Sequence, residues 1–133
     1  MRATWIPFTT HDAKGGHLVA LESHRDLPFE IRRVFFVYGQ DSTRVRGQHA
    51  HLRGEQVLVC LHGHFAMTLD DGRFAEEFVL DRADRGLHVG PMLWEEFRLS
   101  SDAVLLVLAS TAYDRADYIE DYAEFVDLAR RRG

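Results

Sequence analysis

The apolar residues of this chain come in short runs, and from residue 4 to residue 109 each run is cut off by glycine, proline or a polar cluster. That punctuation leaves strands as the elements the segment can build. Residues 4–9 and 17–22 read as strands joined through Lys14-Gly15-Gly16. Residues 32–38, Arg-Arg-Val-Phe-Phe-Val-Tyr, are aromatic and β-branched, which suits a buried strand. Residues 44–51 read as extended and 56–62 as a further strand. Residues 64–69 alternate and end at Asp70-Asp71-Gly72, the strongest hairpin signal in the chain, after which 73–80 resume as a strand. Gly86, Gly90 and Pro91 break up the next segment, and 103–109 are a central-strand candidate.

After residue 112 the period changes. Tyr118, Ile119, Tyr122, Phe125, Val126 and Ala129 recur at three- and four-residue spacing, which predicts a helix with one apolar face. Asp117 with Glu120 three positions on can act as its N-cap and reciprocal partner, and Arg130, Arg131 and Arg132 suit the negative end of the helix dipole. The pattern predicts an all-β barrel or sandwich of eight or more short strands with a C-terminal α-helix. At 133 residues the chain fits one domain, 1–133.

Composition narrows the partners. Sixteen basic against 21 acidic residues give a net charge of −5, which argues against nucleic acid as a partner. No stretch approaches the roughly 18–20 apolar residues needed to span a bilayer, so no membrane is expected. The N-terminal residues lack the apolar core of a signal peptide, and the single cysteine, Cys60, has no partner for an internal disulfide. A cytoplasmic setting is the expectation.

The segment richest in chemistry is Arg44-Val-Arg46-Gly47-Gln48-His49-Ala50-His51. Residues i and i+2 of a strand share a face, so His49 and His51 project together. If the extended run is unbroken, Arg44 and Arg46 pair likewise, and two imidazoles and two guanidiniums line one face. Turned into a barrel, such a face is a poor core and a good pocket for an anionic ligand; turned outward, it is a strand of solvated polar residues. The His-x-His followed by Glu55 also resembles the first metal motif of the cupin barrel. Counting on from Pro91, however, places Glu96 rather than histidine at the fourth-ligand position, with His88 as a possible substitute. No metal is expected, since neutral histidine can itself carry protons near pH 7.

Arg46-Gly47-x-His49-Ala-His51, Glu55-Gln56, Leu69-Asp70-Asp71-Gly72, Gly86-Leu87, Trp94, Val104 to Ser110 and Tyr113-x-x-x-Asp117-Tyr118-Ile119-x-Asp121-Tyr122 together resemble the sugar nucleotide 3,4-ketoisomerases. The resemblance runs from about residue 32 to 126, with Leu52 standing where the family commonly has lysine and His88 where an aromatic is usual. It implies a cupin-like jelly-roll β-barrel acting on thymidine-diphosphate-linked 4-keto-6-deoxyglucose. The ketone moves from C4 to C3 through an enediol or enediolate, and no cofactor is needed because the electrons shift within the substrate. By resemblance His49 and His51 transfer the protons, His51 being assigned to C3, and Tyr38 joins a proton relay. Arg46 and Arg44 would hold the diphosphate. Gln56 would be a polar pocket residue, and Trp94 would pack beside the sugar or base or fill the barrel. The resemblance also implies a homodimer, with N-terminal strands 4–8 and 18–21 compatible with exchange between subunits. Rival readings are a non-catalytic nucleotide-sugar-binding cupin and a related nucleotide-sugar epimerase.

Overall fold

The structure, a computed structural model, describes residues 2–132. Among these, twelve strands and a C-terminal helix follow one another along the chain. One five-stranded sheet is built from β1 (Ala3–Pro7), β4 (Arg33–Val37), β6 (Gln56–His62), β9 (Arg85–Val89) and β11 (Val104–Ala109), in the order β1-β9-β6-β11-β4. The facing sheet has the order β12-β5-β10-β7-β8, from β5 (Arg46–His51), β7 (Phe65–Asp70), β8 (Ala75–Leu80), β10 (Trp94–Leu99) and β12 (Tyr118–Ile119). Every pairing within the two sheets is antiparallel. Two facing antiparallel sheets with neighbours far apart in sequence make the cupin-like jelly roll that the sequence led us to expect.

Leu58, Phe65, Met67, Leu69, Phe97, Leu99, Leu105 and Val107 fill the space between the sheets. β6 is buried on both faces, which is why its sequence, Gln-Val-Leu-Val-Cys-Leu-His, does not alternate. Leu58 and Cys60 face the inter-sheet core, whereas Val57 and Val59 lie in a second cluster with Leu27 and Phe29 of the segment before β4. β4 does alternate: Phe35 and Val37 pack on the main core, while Val34 and Phe36 are exposed.

Several local expectations change. Between the first two predicted strands lies a third: β2 (Thr10–Ala13) and β3 (Gly16–Val19) form a hairpin whose tip, Lys14 and Gly15, has φ of 54° and 77°. Two positive φ values in succession match the right-handed twist of the flanking strands. At Asp70-Asp71-Gly72 the hairpin forms, but the carboxylate of Asp71 caps Arg73 N and Phe74 N at 2.9 and 2.8 Å, so β8 begins only at Ala75. The glycine-broken stretch contains two full strands. Gly86 sits inside β9 because a Cβ there would come within 2.6 Å of Val57 and 2.7 Å of Phe8. It permits close packing rather than a turn.

The helix α1 spans Tyr122–Arg132, starting four positions later than the periodicity predicted. Asp121 caps it, its carboxylate accepting from Glu124 N at 3.0 Å. Phe125 is its fully buried anchor, packed with Trp94, Ala50 and Ile119. Asp117 and Tyr118 therefore lie outside the helix, in a 3-10 turn and in β12.

Candidate functional site

The buried polar and charged side chains among the described residues are His51, Gln56, Glu95 and Asp117, and all four meet at one place. A β-bulge on β5 builds this place. Glu95 pairs with His49 and Glu96 with Gly47, so Gln48 is the extra residue. Gly47 and Gln48 have φ of 84° and 59°. An unbroken run would not have joined the arginines to the histidines on one face as expected, because by strict alternation Arg46 and His49 fall on opposite faces; the added residue brings them round to the same one. The extended run is thus broken, and the break is what puts a guanidinium and an imidazole on a common wall.

That wall belongs to a cavity of about 160 Å³ between the sheets. Phe35, Val37, Leu58, Leu105 and Val107 give it an apolar floor, and Arg46, His49, Gln56, Glu95 and Tyr118 supply its polar groups. His51 lies deeper, its ring edge-on to that of His49 with centroids 5.0 Å apart. Tyr118 covers both imidazoles, with ring centroids 5.0 Å from His49 and 4.6 Å from His51. β12 pairs Tyr118 with His51, and this short strand fixes that lid.

The two histidines have different neighbours. His49 Nε2 lies 2.9 Å from Glu95 Oε1 and its Nδ1 lies 3.0 Å from the carbonyl of Gly47. Both nitrogens face acceptors, so the ring is satisfied as an imidazolium donating two hydrogen bonds. His51 Nδ1 lies 3.4 Å from Asp117 Oδ2, while its Nε2 accepts from the Gln56 amide at 3.2 Å. One donor and one acceptor suit a neutral ring. The acidities follow the same division. Burial works to lower the pKa of His49, but the hydrogen bond and charge of Glu95, with the Gly47 carbonyl, raise it above the ordinary imidazole value. Burial pushes that of His51 down, aided by His49 and opposed by Glu95 and Asp117.

Asp117 is itself held, its two carboxylate oxygens accepting from Arg53 N at 2.7 Å and Gly54 N at 3.1 Å. One nitrogen or carboxylate donor each from His49, His51 and Glu95 lies within 4.8 Å of the others, so this trio is where a cation could be held. It is not the set read from the cupin metal motif. Glu55 instead bonds His88 at 2.7 Å, and Glu96 shares a different pocket with Thr68, Asp70, Trp94 and Tyr122.

Among the residues singled out in the sequence, His49, His51, Gln56 and Arg46 come together, and three do not join them. Arg44 lies before β5 in an exposed bend, paired with Asp41 at 3.8 Å. Tyr38 follows β4 with the parity of Val34 and Phe36; it stacks on Phe36 and is 70% exposed, away from the cavity. Trp94 precedes inward-facing Glu95 and so turns outward, packing on Tyr122 and Phe125 of the helix. Glu95, Asp117 and Tyr118 were not foreseen as site residues. An alternating reading of Trp94–Leu99 would have singled out Glu95, a charge between inward Phe97 and a proline-ended turn.

A family model described as "FdtA: WxcM-like, C-terminal" matches residues 1–130. A TDP-4-oxo-6-deoxy-alpha-D-glucose-3,4-oxoisomerase of Aneurinibacillus thermoaerophilus is 47% identical over 111 residues, 83% of this chain and 80% of that protein. A 3,4-ketoisomerase structure from Helicobacter canadensis superposes with a TM-score of 0.94 at 38% identity, covering 98% of each chain. A histidine-to-asparagine mutant of the 3,4-ketoisomerase QdtA from Thermoanaerobacterium thermosaccharolyticum, solved with TDP-4-keto-6-deoxyglucose, gives 0.95 at 36% identity over 98% of this chain and 96% of that one. With a family model spanning nearly all of its length and a relative at this identity, the chain belongs to the WxcM-like sugar nucleotide 3,4-ketoisomerase family.

Proposed function

We propose that this protein moves the ketone of thymidine-diphosphate-linked 4-keto-6-deoxyglucose from C4 to C3. One observation carries the reading: two histidines with opposite hydrogen-bond complements, one facing two acceptors and the other an acceptor and a donor, sit side by side against a cavity. A carbonyl shift between neighbouring carbons needs that pair, an acid and a base of similar intrinsic strength.

In the proposed reaction His51 Nε2 takes the proton from C3 as the C3–H electrons form a C3–C4 double bond. For this the substrate displaces the Gln56 amide from that nitrogen. The C4 oxygen, gaining charge, takes a proton from His49, and an enediol results. The C3 hydroxyl then gives up its proton to the now neutral His49 as the C3 ketone forms, and the double-bond electrons take a proton at C4 from the His51 imidazolium, whose N–H exchanges with solvent, so both rings return to their starting states. One C–H bond and one C=O bond are exchanged for another of each, with no net oxidation and no redox cofactor. Arg46 would bind the diphosphate, and Tyr118, lying over both rings, would exclude water.

The reading carries with it a cytoplasmic setting and a homodimer. In support of the dimer, edge strand β4 and the residue after it expose Val34, Phe36 and Tyr38. Incubation with the 4-keto sugar nucleotide in deuterated water, followed by NMR, tests the function. We expect a 3-keto sugar carrying deuterium at C4; unchanged substrate would overturn the reading. A His51→Asn variant should lose about 10²–10⁴-fold in turnover while still binding thymidine diphosphate, whereas a pure binding protein has no turnover to lose.

A further inference from the structure

Both imidazoles of the site are held from behind. His49 Nδ1 faces the Gly47 carbonyl at 3.0 Å, and His51 Nδ1 faces Asp117 Oδ2 at 3.4 Å. A backbone carbonyl or a carboxylate on the far ring nitrogen is the partner that orients a metal-ligating histidine and raises its basicity. The near nitrogens converge on one group: His49 Nε2 and His51 Nε2 lie 2.9 and 4.0 Å from Glu95 Oε1. A tetrahedral zinc ion with bonds of roughly 2.0–2.1 Å spaces its donor atoms about 3.3 Å apart, and the two distances fall on either side of that spacing. The second oxygen of Glu95, Oε2, is buried without a hydrogen-bond partner. A buried carboxylate oxygen left unpaired is costly, and a cation would relieve it. Glu95 and Asp117, the two buried carboxylates among the described residues, supply the two negative charges that balance a divalent ion. The adjoining cavity of about 160 Å³ leaves room for water at a fourth position.

We propose that His49, His51 and Glu95 form a binding site for a borderline divalent cation, typified by Zn2+, and that filling it switches the enzyme off. Imidazole and carboxylate donors suit such an ion. The set is not that of the cupin motif, whose Glu55 is spent on His88. Coordination uses Nε2 of both rings. The Gln56 amide therefore leaves His51 Nε2, and the proton that His49 Nε2 shares with Glu95 passes to solvent. Both lone pairs are then committed to the ion. His51 has no free nitrogen to take the C3 proton, and His49 has no Nε2 proton to give. The inhibition rests on the function proposed above, whereas the site rests on its own geometry.

The test is a titration of the untagged, chelator-stripped protein with Zn2+ by calorimetry and with Co2+ by visible absorption, in wild type, Glu95→Gln, His51→Asn and His88→Gln. Wild type should take up one ion and give the absorption of four-coordinate Co2+. Glu95→Gln and His51→Asn should each weaken binding by at least the roughly 10- to 100-fold that losing a mere outer partner costs. His88→Gln should bind as wild type does. Should Glu95→Gln fail to fold, Glu95→Asp, which keeps the charge and draws it back by one methylene, carries the same comparison. Turnover of the 4-keto sugar nucleotide should fall as the site fills, with its midpoint at the calorimetric Kd, and return on chelation. Absence of Zn2+ binding, or binding that Glu95→Gln and His51→Asn leave unchanged, overturns the site while leaving the function intact. Undiminished turnover with the site filled overturns the inhibition. Stripped wild type without turnover overturns the function and the inhibition with it, and the titrations then decide the site by themselves.

Discussion

His49 and His51 are two residues apart on one strand, yet their chemistry diverges because their partners come from different places. Glu95 and the Gly47 carbonyl favour the charged ring of His49; burial and the Gln56 amide favour the neutral ring of His51. Catalysis as proposed needs His51 neutral and His49 protonated. His51, with its pKa lowered, is neutral until the pH falls below the ordinary imidazole value of 6.5; His49, with its pKa raised, stays protonated until the pH climbs above it. The pH profile of kcat/KM should therefore be a bell with one flank on each side of 6.5. Glu95→Gln removes the charge that holds the proton on His49, so the basic flank should move toward acid and the plateau narrow. A profile with an unmoved basic flank in that variant would remove Glu95 from the account.

At the scale of the element, the bulge in β5 decides which side chains meet. Gly47 is required there twice over. Its φ of +84° is a left-handed conformation, and an added Cβ would come within 2.7 Å of the Glu95 carbonyl oxygen, a backbone atom with little room to yield. Gly47→Ala should cost about 1–3 kcal/mol of stability, measurable by denaturant unfolding. It should also lower turnover, since the Gly47 carbonyl is one of the acceptors on His49. β12 is the other decisive element. With two residues it is too short to announce itself, but its pairing with β5 sets Tyr118 opposite His51. The sequence pattern assigned these residues to the helix because Tyr118, Ile119, Tyr122 and Phe125 do satisfy a helical period. Ile119 and Phe125 are indeed buried in one cluster, reached by a strand and then a helix. Apolar spacing reports which residues are buried, and two different backbones can bury the same set.

For the molecule as a whole, β4 closes one edge of its sheet, and it and the residue after it turn three large side chains to solvent: Val34, Phe36 and Tyr38, at 55%, 62% and 70% exposure. An unpaired edge of this kind is a template for pairing unless it is covered. With a second copy as the cover, light scattering should return twice the 15.3 kDa chain mass, and Phe36→Glu should return the monomer mass. A wild-type monomer at micromolar concentration would exclude this use of the edge.

The sequence by itself determined the short strands, the Asp-Asp-Gly hairpin, the paired direction of His49 and His51 and the family to which they belong. Each is a property of neighbours along the chain: side-chain period, turn chemistry or a contiguous motif. What only the tertiary structure decided is who faces those histidines. Gln56, Glu95 and the adjacent pair Asp117 and Tyr118 arrive on three other segments, and Arg46 swings onto their wall through one inserted residue. Tyr38 and Trp94 turn away from the cavity because each has the opposite parity to the residues that line it, and Arg44 lies outside β5 altogether. A shift of one position reverses a strand's face, and the register that fixes the face is set by packing between strands distant in sequence.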